Sequence, residues 1–391
     1  MAQDLTPSPT PAPVPAPTPA PTPAPDDAPP AAATADEATS TPLTATGTDS
    51  RLLWIAPALG ALYGLLIRVG AAWFGPWLRS HGYSHEVAGV MSGGFLLLTP
   101  VVMGMITVHA RRAQGCSWLF ACFGPWVATF MMLLGSMVTL LEGAICVVMM
   151  APLFLGLSSL GGLLMKLLQT LWNLRGRFVG AVAVLPLLAL LVEGPMTQAD
   201  AWQSIRHTVV VEAPPARVWQ EILDARGIRP EEMPHTLIHL IGVPRPVEGI
   251  NRQRPDGEVR ESRWERGVHF LGRVTARTEQ REIAWRYEFA PDSFPAGTMD
   301  DHVVIGGRYF DLGETRFLLT PLDGGRTRLS IEAHYRVSSS VNLYAVPVAA
   351  LLGEDFVDAL LTLYRQRAER PDSRAVSRQD PRPAALARAE G

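Results

Sequence analysis

The chain has 391 residues, of which 48% are hydrophobic and 18% are charged, and its formal net charge at neutral pH is −3. No basic stripe accompanies this charge, which excludes a typical nucleic-acid-binding surface. All three cysteines, Cys116, Cys122 and Cys146, lie in or beside an apolar region, so the more polar part of the chain has neither a disulfide framework nor a cysteine-based zinc site.

Both ends of the chain have the composition of disordered segments. Residues 1–50 are dominated by Pro, Ala and Thr and contain no Lys or Arg. Such a segment cannot bury a core, and it lacks the positive start of a secretory signal. Residues 371–391 return to Pro, Ala, Arg and Ser. We therefore predict two disordered tails, with the folded chain between them.

Residues 51–195 are predicted to form a transmembrane bundle of about five helices. A helix needs about 20 apolar residues to cross the hydrocarbon core. Four segments reach that length, at 52–74, 87–108, 118–141 and 144–165. A fifth, at 178–192, is shorter but too apolar for a loop, and it would cross a thin bilayer with little tilt. These segments have no polar face, which disfavours helices in the core of a soluble protein.

The charges of the connecting loops predict the orientation of the bundle, because Lys and Arg concentrate on the cytoplasmic side. If five helices alternate, one side receives Arg51, Arg111, Arg112, Lys166, Arg175 and Arg177. The other side receives Arg79, Glu86, Glu142, Glu193 and the whole C-terminal part. We expect a multi-pass protein of a bacterial inner membrane, with a cytoplasmic N-terminus and a periplasmic C-terminal domain. A fifth helix that does not cross would reverse the side of the domain.

One charged residue lies inside the first apolar segment. Arg68 follows Ala56, Gly60 and Gly64 at a spacing of four, so all share one helix face. A guanidinium in hydrocarbon is costly unless it is paired or reaches the interface. The predicted cluster joins Arg68 to Glu142 or Glu193, which lie at similar depth, and it either locks the helices together or belongs to a transport path.

Residues 198–370 are predicted to form a separate α+β domain. A strand at 204–212 precedes a helix opened by proline at 213–223. Further strands are expected at 268–276, 283–289, 302–310 and 316–321, and another follows the Asp323-Gly-Gly325 turn. This order indicates an antiparallel sheet. A long helix at 347–369 carries an apolar stripe that is predicted to pack on this sheet. The stripe consists of Leu352, Phe356, Leu360 and Leu363.

Three segments of this domain occur together in an order that resembles a known family. They are Thr208-Val-Val-Val-Glu-Ala-Pro-Pro-Ala-Arg-Val-Trp219, the hairpin that runs from Thr315 to Leu329, and the closing helix. The order resembles the START-like or SRPBCC superfamily, which includes polyketide cyclase/dehydrase and lipid-transport proteins. The resemblance implies a helix-grip fold, in which a curved antiparallel sheet wraps the C-terminal helix around a mostly apolar cavity.

The apolar region carries a second resemblance. Through Met91-Ser-Gly-Gly-Phe-Leu and Glu142-Gly-Ala-Ile-Cys146 it is similar to the N-terminal half of uncharacterised bacterial proteins that contain such a domain. This resemblance implies no activity.

The strand alternation places several aromatic residues on the inner face of the sheet. The residues expected to border a ligand cavity are Trp285, Tyr287, Ala333, Tyr335 and Phe356. The alternative is that the same residues fill an ordinary core.

An enzyme would require titratable groups that point into the cavity. His269 and His334 alternate with apolar residues and should face outward. The candidates for acid/base or ligand-orienting roles are His302, Tyr309 and Asp311. Gly306 and Gly307 between them suggest a close backbone approach or a bulge. His235 and His239 are four residues apart, but no Glu stands between them as in a zinc protease, so they are expected on the surface.

The sequence favours a membrane-anchored START-like protein that binds a hydrophobic, lipid-like ligand at the membrane surface. Its expected partners are membrane lipids and that ligand, without nucleic acid, metal or cofactor. The alternatives are an enzyme that modifies a polyketide or aromatic substrate, a transporter, and an assembly factor that uses the domain for protein contacts. The enzyme question and the oligomeric state stay open.

Overall fold

The computed structural model describes residues 50–81, 91–172, 176–193, 199–234, 236–300 and 302–370. Apart from Ser50, both predicted tails lie outside the described residues. His235 and Glu86 also lie outside them.

The N-terminal part of the described chain is helical. Its helices are α1 (Ser50–Ser80), α2 (Thr99–Ala110), α3 (Trp118–Val138), α4 (Ala144–Leu171), α5 (Gly176–Ala183) and α6 (Leu185–Glu193). A short π-helical turn, Gly94–Leu98, leads directly into α2. Three stretches among the described residues are long and apolar enough to cross a membrane, namely Trp54–Trp77, Trp118–Val138 and Ala144–Leu171.

The two other predicted spans differ from the sequence expectation. The helical stretch in the second is Gly94–Ala110, which is apolar but shorter than a full span, and residues 87–90 lie outside the described residues. The segment predicted as one helix at 178–192 contains an apolar helical stretch, Val179–Ala189, that is shorter than a full span and is divided between α5 and α6. The chain turns at Val184 between α5 and α6, because Pro186 has no amide hydrogen with which to continue the helix.

Small residues allow the helices of the bundle to approach closely. In the predicted seam of α1, a Cβ atom on Gly60 would meet Thr107 of α2, and one on Gly64 would meet Met103. A Cβ atom on Gly161 of α4 would overlap the backbone of Val101. These small residues therefore let the helices pack in close van der Waals contact.

The C-terminal part combines eight strands with three α-helices. The strands are β1 (Asp200–Val211), β2 (Asp224–Ala225), β3 (Pro246–Arg254), β4 (Gly257–Trp264), β5 (His269–Thr278), β6 (Glu282–Glu288), β7 (Phe310–Leu322) and β8 (Arg326–Ser338). The helices are α7 (Pro215–Leu223), α8 (Leu237–Leu240) and α9 (Asn342–Glu369).

A single antiparallel sheet joins these strands in the order β1-β8-β7-β6-β5-β4-β3-β2. β1 pairs with β8 along its whole length, from Asp200 opposite Ser338 to Val211 opposite Thr327. The sheet curls, and α9 packs against β1 and β8. A curled antiparallel sheet around a long C-terminal helix is consistent with the helix-grip fold that the resemblance implied.

Two parts of the sheet differ from the sequence expectation. The strand predicted at 302–310 is wrong: residues 302–309 form turns, and β7 begins at Phe310. Gly306 there has φ of +76°, and an added Cβ atom would collide with the Phe289 ring, which explains the glycine. The charged hairpin of β3 and β4 was not predicted at all.

The C-terminal domain contacts the ends of the bundle helices. The Asp300 carboxylate accepts a hydrogen bond from the amide of Cys146, in the first turn of α4, at 3.0 Å. Tyr344 donates to the carbonyl of Met149, and Ser340 donates to the carbonyl of Met91. The buried Val341 packs into the apolar core of the bundle. The start of α9 is therefore fixed on the bundle.

Candidate functional site: an apolar cavity at the junction of the domain and the bundle

A cavity of about 220 Å³ lies between the curled sheet and α9. Its walls come from the inner face of the sheet, the first part of α9, α8, the 299–309 segment and the start of α4. We call it the central cavity. It is larger than an apolar cavity of about 150 Å³, which suffices for a benzene-sized molecule.

Most of the lining side chains are apolar. The sheet contributes Ile205, Tyr287, Phe310, Leu312, Thr315, Ile331, Ala333, Tyr335 and Val337, and α9 contributes Tyr344, Ala345, Val348, Ala349, Leu352, Gly353, Phe356, Val357 and Leu360. The bundle side contributes Met91, Ile145, Cys146, Met149 and Met150.

Four of the five predicted ligand-binding residues line the central cavity. They are Tyr287, Ala333, Tyr335 and Phe356. The Tyr287 hydroxyl donates to Thr315 Oγ1 at 2.9 Å, and burial raises the pKa of Tyr287. This hydroxyl is therefore neutral and already paired, so the wall that it forms behaves as an apolar surface.

Trp285 is the exception, because it is not among the lining residues. Its ring stacks on Phe317 with centroids 5.1 Å apart, and the Arg260 guanidinium lies over it at 4.8 Å. Trp285 faces the same side of the sheet as Tyr287 but lies farther from the bundle, where the interior is filled. Trp285 faces inward, as the strand alternation predicted, and its ligand-binding role stays a prediction.

Two of the three catalytic candidates reach the central cavity. His302 and Tyr309 both line it, with ring centroids 5.9 Å apart in an edge-on arrangement. Asp311 lies between the lining residues Phe310 and Leu312 and does not itself line the cavity. Partial burial raises the pKa of Asp311, and the nearby Arg336 opposes that shift. The role predicted for Asp311 stays a prediction.

His239 is buried, which corrects the surface position that we expected. It belongs to the one-turn helix α8, and its ring meets Phe356 edge-on at 5.8 Å. Its Nδ1 atom lies 3.1 Å from the carbonyl oxygen of Val243. Burial lowers the pKa of His239, so the ring is neutral near pH 7. The apolar residues on both sides of His239, Ile238 and Leu240, are a signal in the sequence that could have indicated this burial.

A second, smaller pocket of about 40 Å³ adjoins the central cavity between the interior of α1, the C-terminal part of α3 and the first turns of α4. We call it the junction pocket. Its polar lining consists of Arg68, Ser136, Glu142, Cys146 and His302. It shares four lining residues with the central cavity, namely Met91, Cys146, Met150 and His302.

Arg68 forms an ion pair at this junction pocket. Its Nε lies 2.8 Å from Glu142 Oε1, and its other end donates to the carbonyl of Leu141. The side chains of Arg68 and Glu142 are 7% and 13% exposed. Glu193, the alternative partner, ends α6 with its carboxylate beside Gly93. Of the two predicted partners, Glu142 is therefore the one that forms an ion pair with Arg68.

The sequence reasoning missed the bundle side of the site. Ile145, Met149 and Met150 lie in a segment that was assigned only a spanning role. A usable pattern was present in α9, where Ala345, Ala349 and Gly353 recur every four residues and face the central cavity.

The chemistry of these walls favours binding by apolar contact with few polar groups. Within the described residues, no group of three or more His, Cys, Asp or Glu side chains could hold a metal ion. His302 and Tyr309 are the titratable lining residues that the 299–309 segment contributes to the central cavity.

No family model and no curated protein matches the chain. Solved structures show a weak similarity. The Zhui aromatase/cyclase from a Streptomyces species is 19% identical, with 44% of this chain and 95% of that chain covered and a TM-score of 0.28. A START superfamily protein from Mycobacterium smegmatis is 16% identical, with 42% and 97% covered and a TM-score of 0.27. A Thermus thermophilus protein is 19% identical over the same shares, also with a TM-score of 0.27. The helix-grip description therefore rests on the topology of the chain itself.

Proposed function

We propose that this chain is a membrane-anchored protein that binds one hydrophobic, lipid-like ligand in the central cavity. The observation that carries the proposal is the cavity itself, which is walled by the sheet, by α9 and by the start of the apolar helix α4. Burial of apolar surface stabilises such a complex by about 25 cal/mol per Å².

The position of the cavity supports exchange of the ligand with a membrane. Ile145, Met149 and Met150 belong to α4, which is long and apolar enough to cross a bilayer. On the domain side, Leu240 is 82% exposed beside the lining residue Ile241. Leu343, next to the lining residue Tyr344, is 96% exposed. Exposed leucines at this edge favour contact with lipid over contact with water.

The proposed location is a bacterial inner membrane, with the domain on the side opposite Arg111, Arg112 and Lys166. The domain contacts the start of α4, whereas Arg111 and Arg112 follow the far end of α2. A phosphatase fused after Arg370 should be active in the periplasm. An inactive fusion in cells where a cytoplasmic fluorescent reporter at the same site is bright would overturn this orientation.

The binding proposal is tested with the full chain in detergent and the uncharged fluorescent probe N-phenyl-1-naphthylamine. Ala333→Phe places a ring inside the central cavity, so we expect displacement of the probe with little change in melting temperature. His334→Phe adds the same ring on the opposite face of β8, where His334 is exposed, and should leave the binding unchanged. If the parent protein binds no more probe than empty micelles, or if Ala333→Phe retains it, the proposal fails.

A second candidate function is modification of an aromatic ligand in the same cavity. It is favoured by His302 and Tyr309, whose side chains line the wall and could hold or move a proton. The test is recovery of the bound molecule from the parent and from His302→Phe. Recovery of the same unaltered compound from both would exclude this candidate.

A further inference from the structure

Two buried polar atoms at the junction pocket have no hydrogen-bond partner in the part of the chain that the structure describes. They are Ser136 Oγ, in a residue that is 0% exposed, and His302 Nδ1. Both residues line the junction pocket. Buried polar atoms are almost always paired in folded proteins, so two orphans on one pocket point to a missing polar group.

The charges around the junction pocket restrict what this group can be. The guanidinium of Arg68 is balanced by the Glu142 carboxylate. The Asp300 carboxylate lies close by, bonded to the amide of Cys146. One cation and two anions leave a net negative charge, which opposes the entry of a carboxylate or a phosphate.

The two orphan atoms suit an uncharged hydroxyl. A serine hydroxyl both donates and accepts, and an imidazole nitrogen donates or accepts according to its tautomer. A ligand hydroxyl also does both, so it can pair with Ser136 and His302 together. The volume of about 40 Å³ is sufficient, because a water molecule needs roughly 10–15 Å³ on this measure.

We propose that the junction pocket is a head-group subsite and that the ligand of the central cavity is a long-chain or isoprenoid alcohol. The hydroxyl lies between Ser136 and His302, and the apolar chain passes Cys146 and Met150 into the central cavity. This inference rests on the proposed binding function and adds the chemical class of the ligand. The subsite belongs to the bundle as much as to the domain, because Ser136 lies in α3.

The test offers the full-length protein an equimolar mixture of 1-tetradecanol, tetradecane, tetradecanoate and tetradecylamine near neutral pH. Retained compounds are measured by gas chromatography after removal of free ligand, with empty micelles as the background. We expect retention of the alcohol over the alkane by roughly tenfold, since it gains two modest hydrogen bonds. Ser136→Ala should reduce that ratio by roughly three- to tenfold and leave the retention of tetradecane unchanged.

Ser158→Ala is the matched control, because Ser158 is an equally buried serine of α4 that does not line the junction pocket. It should leave the ratio unchanged. If Ser136→Ala does not fold, His302→Phe removes the other orphan and should reduce the ratio in the same way.

The outcomes separate the subsite from the binding function. Equal retention of alcohol and alkane, or a preference for the acid or the amine, overturns the subsite while the apolar cavity stands. Retention of none of the four compounds above background overturns both.

Discussion

The two halves of the domain interior are built from the same sheet and the same helix, yet one is filled and the other is hollow. In the half far from the bundle, Trp285, Phe317 and Leu363 pack at 3% exposure or less. In the half next to the bundle, Tyr287 and Ala333 face the central cavity. Apolar residues alternate along the strands in the same way in both halves. This alternation therefore shows which side chains face inward, but it does not show whether they fill the interior.

The difference comes from side-chain size along α9 and from what covers each end. The first half of α9 turns Ala345, Ala349 and Gly353 toward the sheet, and these leave space. The second half turns Leu363 and Tyr364 inward, and α7 closes that end. The bundle closes the hollow end instead. Small residues on the face of α9 that packs against the sheet therefore indicate which part of the interior is left unfilled.

The largest effect is expected at the bundle side of the hollow half. Arg68→Ala leaves the Glu142 carboxylate buried and unpaired, which should reduce stability by about 3 to 5 kcal/mol. The measurement is thermal melting in detergent. The matched control is the double variant Arg68→Leu with Glu142→Leu, which removes both charges and should melt close to the parent. Unchanged melting of Arg68→Ala would show that the pair contributes nothing to this wall.

The filled half should respond to acid through Glu232, which is 4% exposed and bonded to Arg367 and Arg370. Burial opposes ionisation of this carboxyl, but hydrogen bonds from Arg367, the Arg229 amide and Arg370 outweigh it and lower its pKa from 4.5 to about 2. A lowered pKa stabilises the fold above pH 4.5, and that contribution disappears as the pH falls from 4.5 toward 2.

The size of this contribution is about 3 kcal/mol. Glu232→Gln should therefore melt below the parent near pH 7, and the two melting temperatures should converge as the pH approaches 2. Melting curves that stay the same distance apart at every pH would contradict the assigned role of Glu232.

The smallest expected effect compares the two halves most directly, because the two substituted residues, Ala359 and Ala349, both lie on α9. Ala359 is 1% exposed in the filled half, and Ala349 faces the central cavity. Ala359→Leu should overpack the core and cost about 1 to 3 kcal/mol. Ala349→Leu should leave the melting temperature within about 1 °C of the parent and weaken probe binding. Equal destabilisation by both would mean that the first half of α9 is as tightly packed as the second.

The sequence predicted the inward face of an element correctly where apolar residues recur at a regular spacing and all face the interior of the domain. The inward faces of β6 and β8 and the stripe of α9 were predicted from alternation and helical spacing. The β3–β4 hairpin was missed because most of its residues are polar or charged. Its Arg260 is buried and donates hydrogen bonds to Ile222, Asn251 and Tyr364, and no local pattern encodes these contacts.

The candidate site was predictable only in part, for a similar reason. Tyr287, Ala333, Tyr335 and Phe356 follow from strand and helix faces. The segment from His302 to Tyr309 has strand-like composition, yet Gly306 turns it. The contribution of the bundle depends on contacts between residues more than a hundred positions apart, such as Asp300 with Cys146.

The hydrogen bond between Asp300 and Cys146 links two equilibria, the docking of the domain on the bundle and the binding of a ligand in the central cavity. The first amides of a helix have no partner within it, and Asp300 of the domain supplies one to α4. Because the bundle and the domain both wall the central cavity, a ligand there favours the docked arrangement by RT ln(1 + [L]/Kd), or about 2.7 kcal/mol when its concentration is a hundred times Kd. The coupling is reciprocal, so in the proposed membrane-anchored protein a change in the bilayer that drew α4 away from Asp300 would also lower the affinity for the ligand.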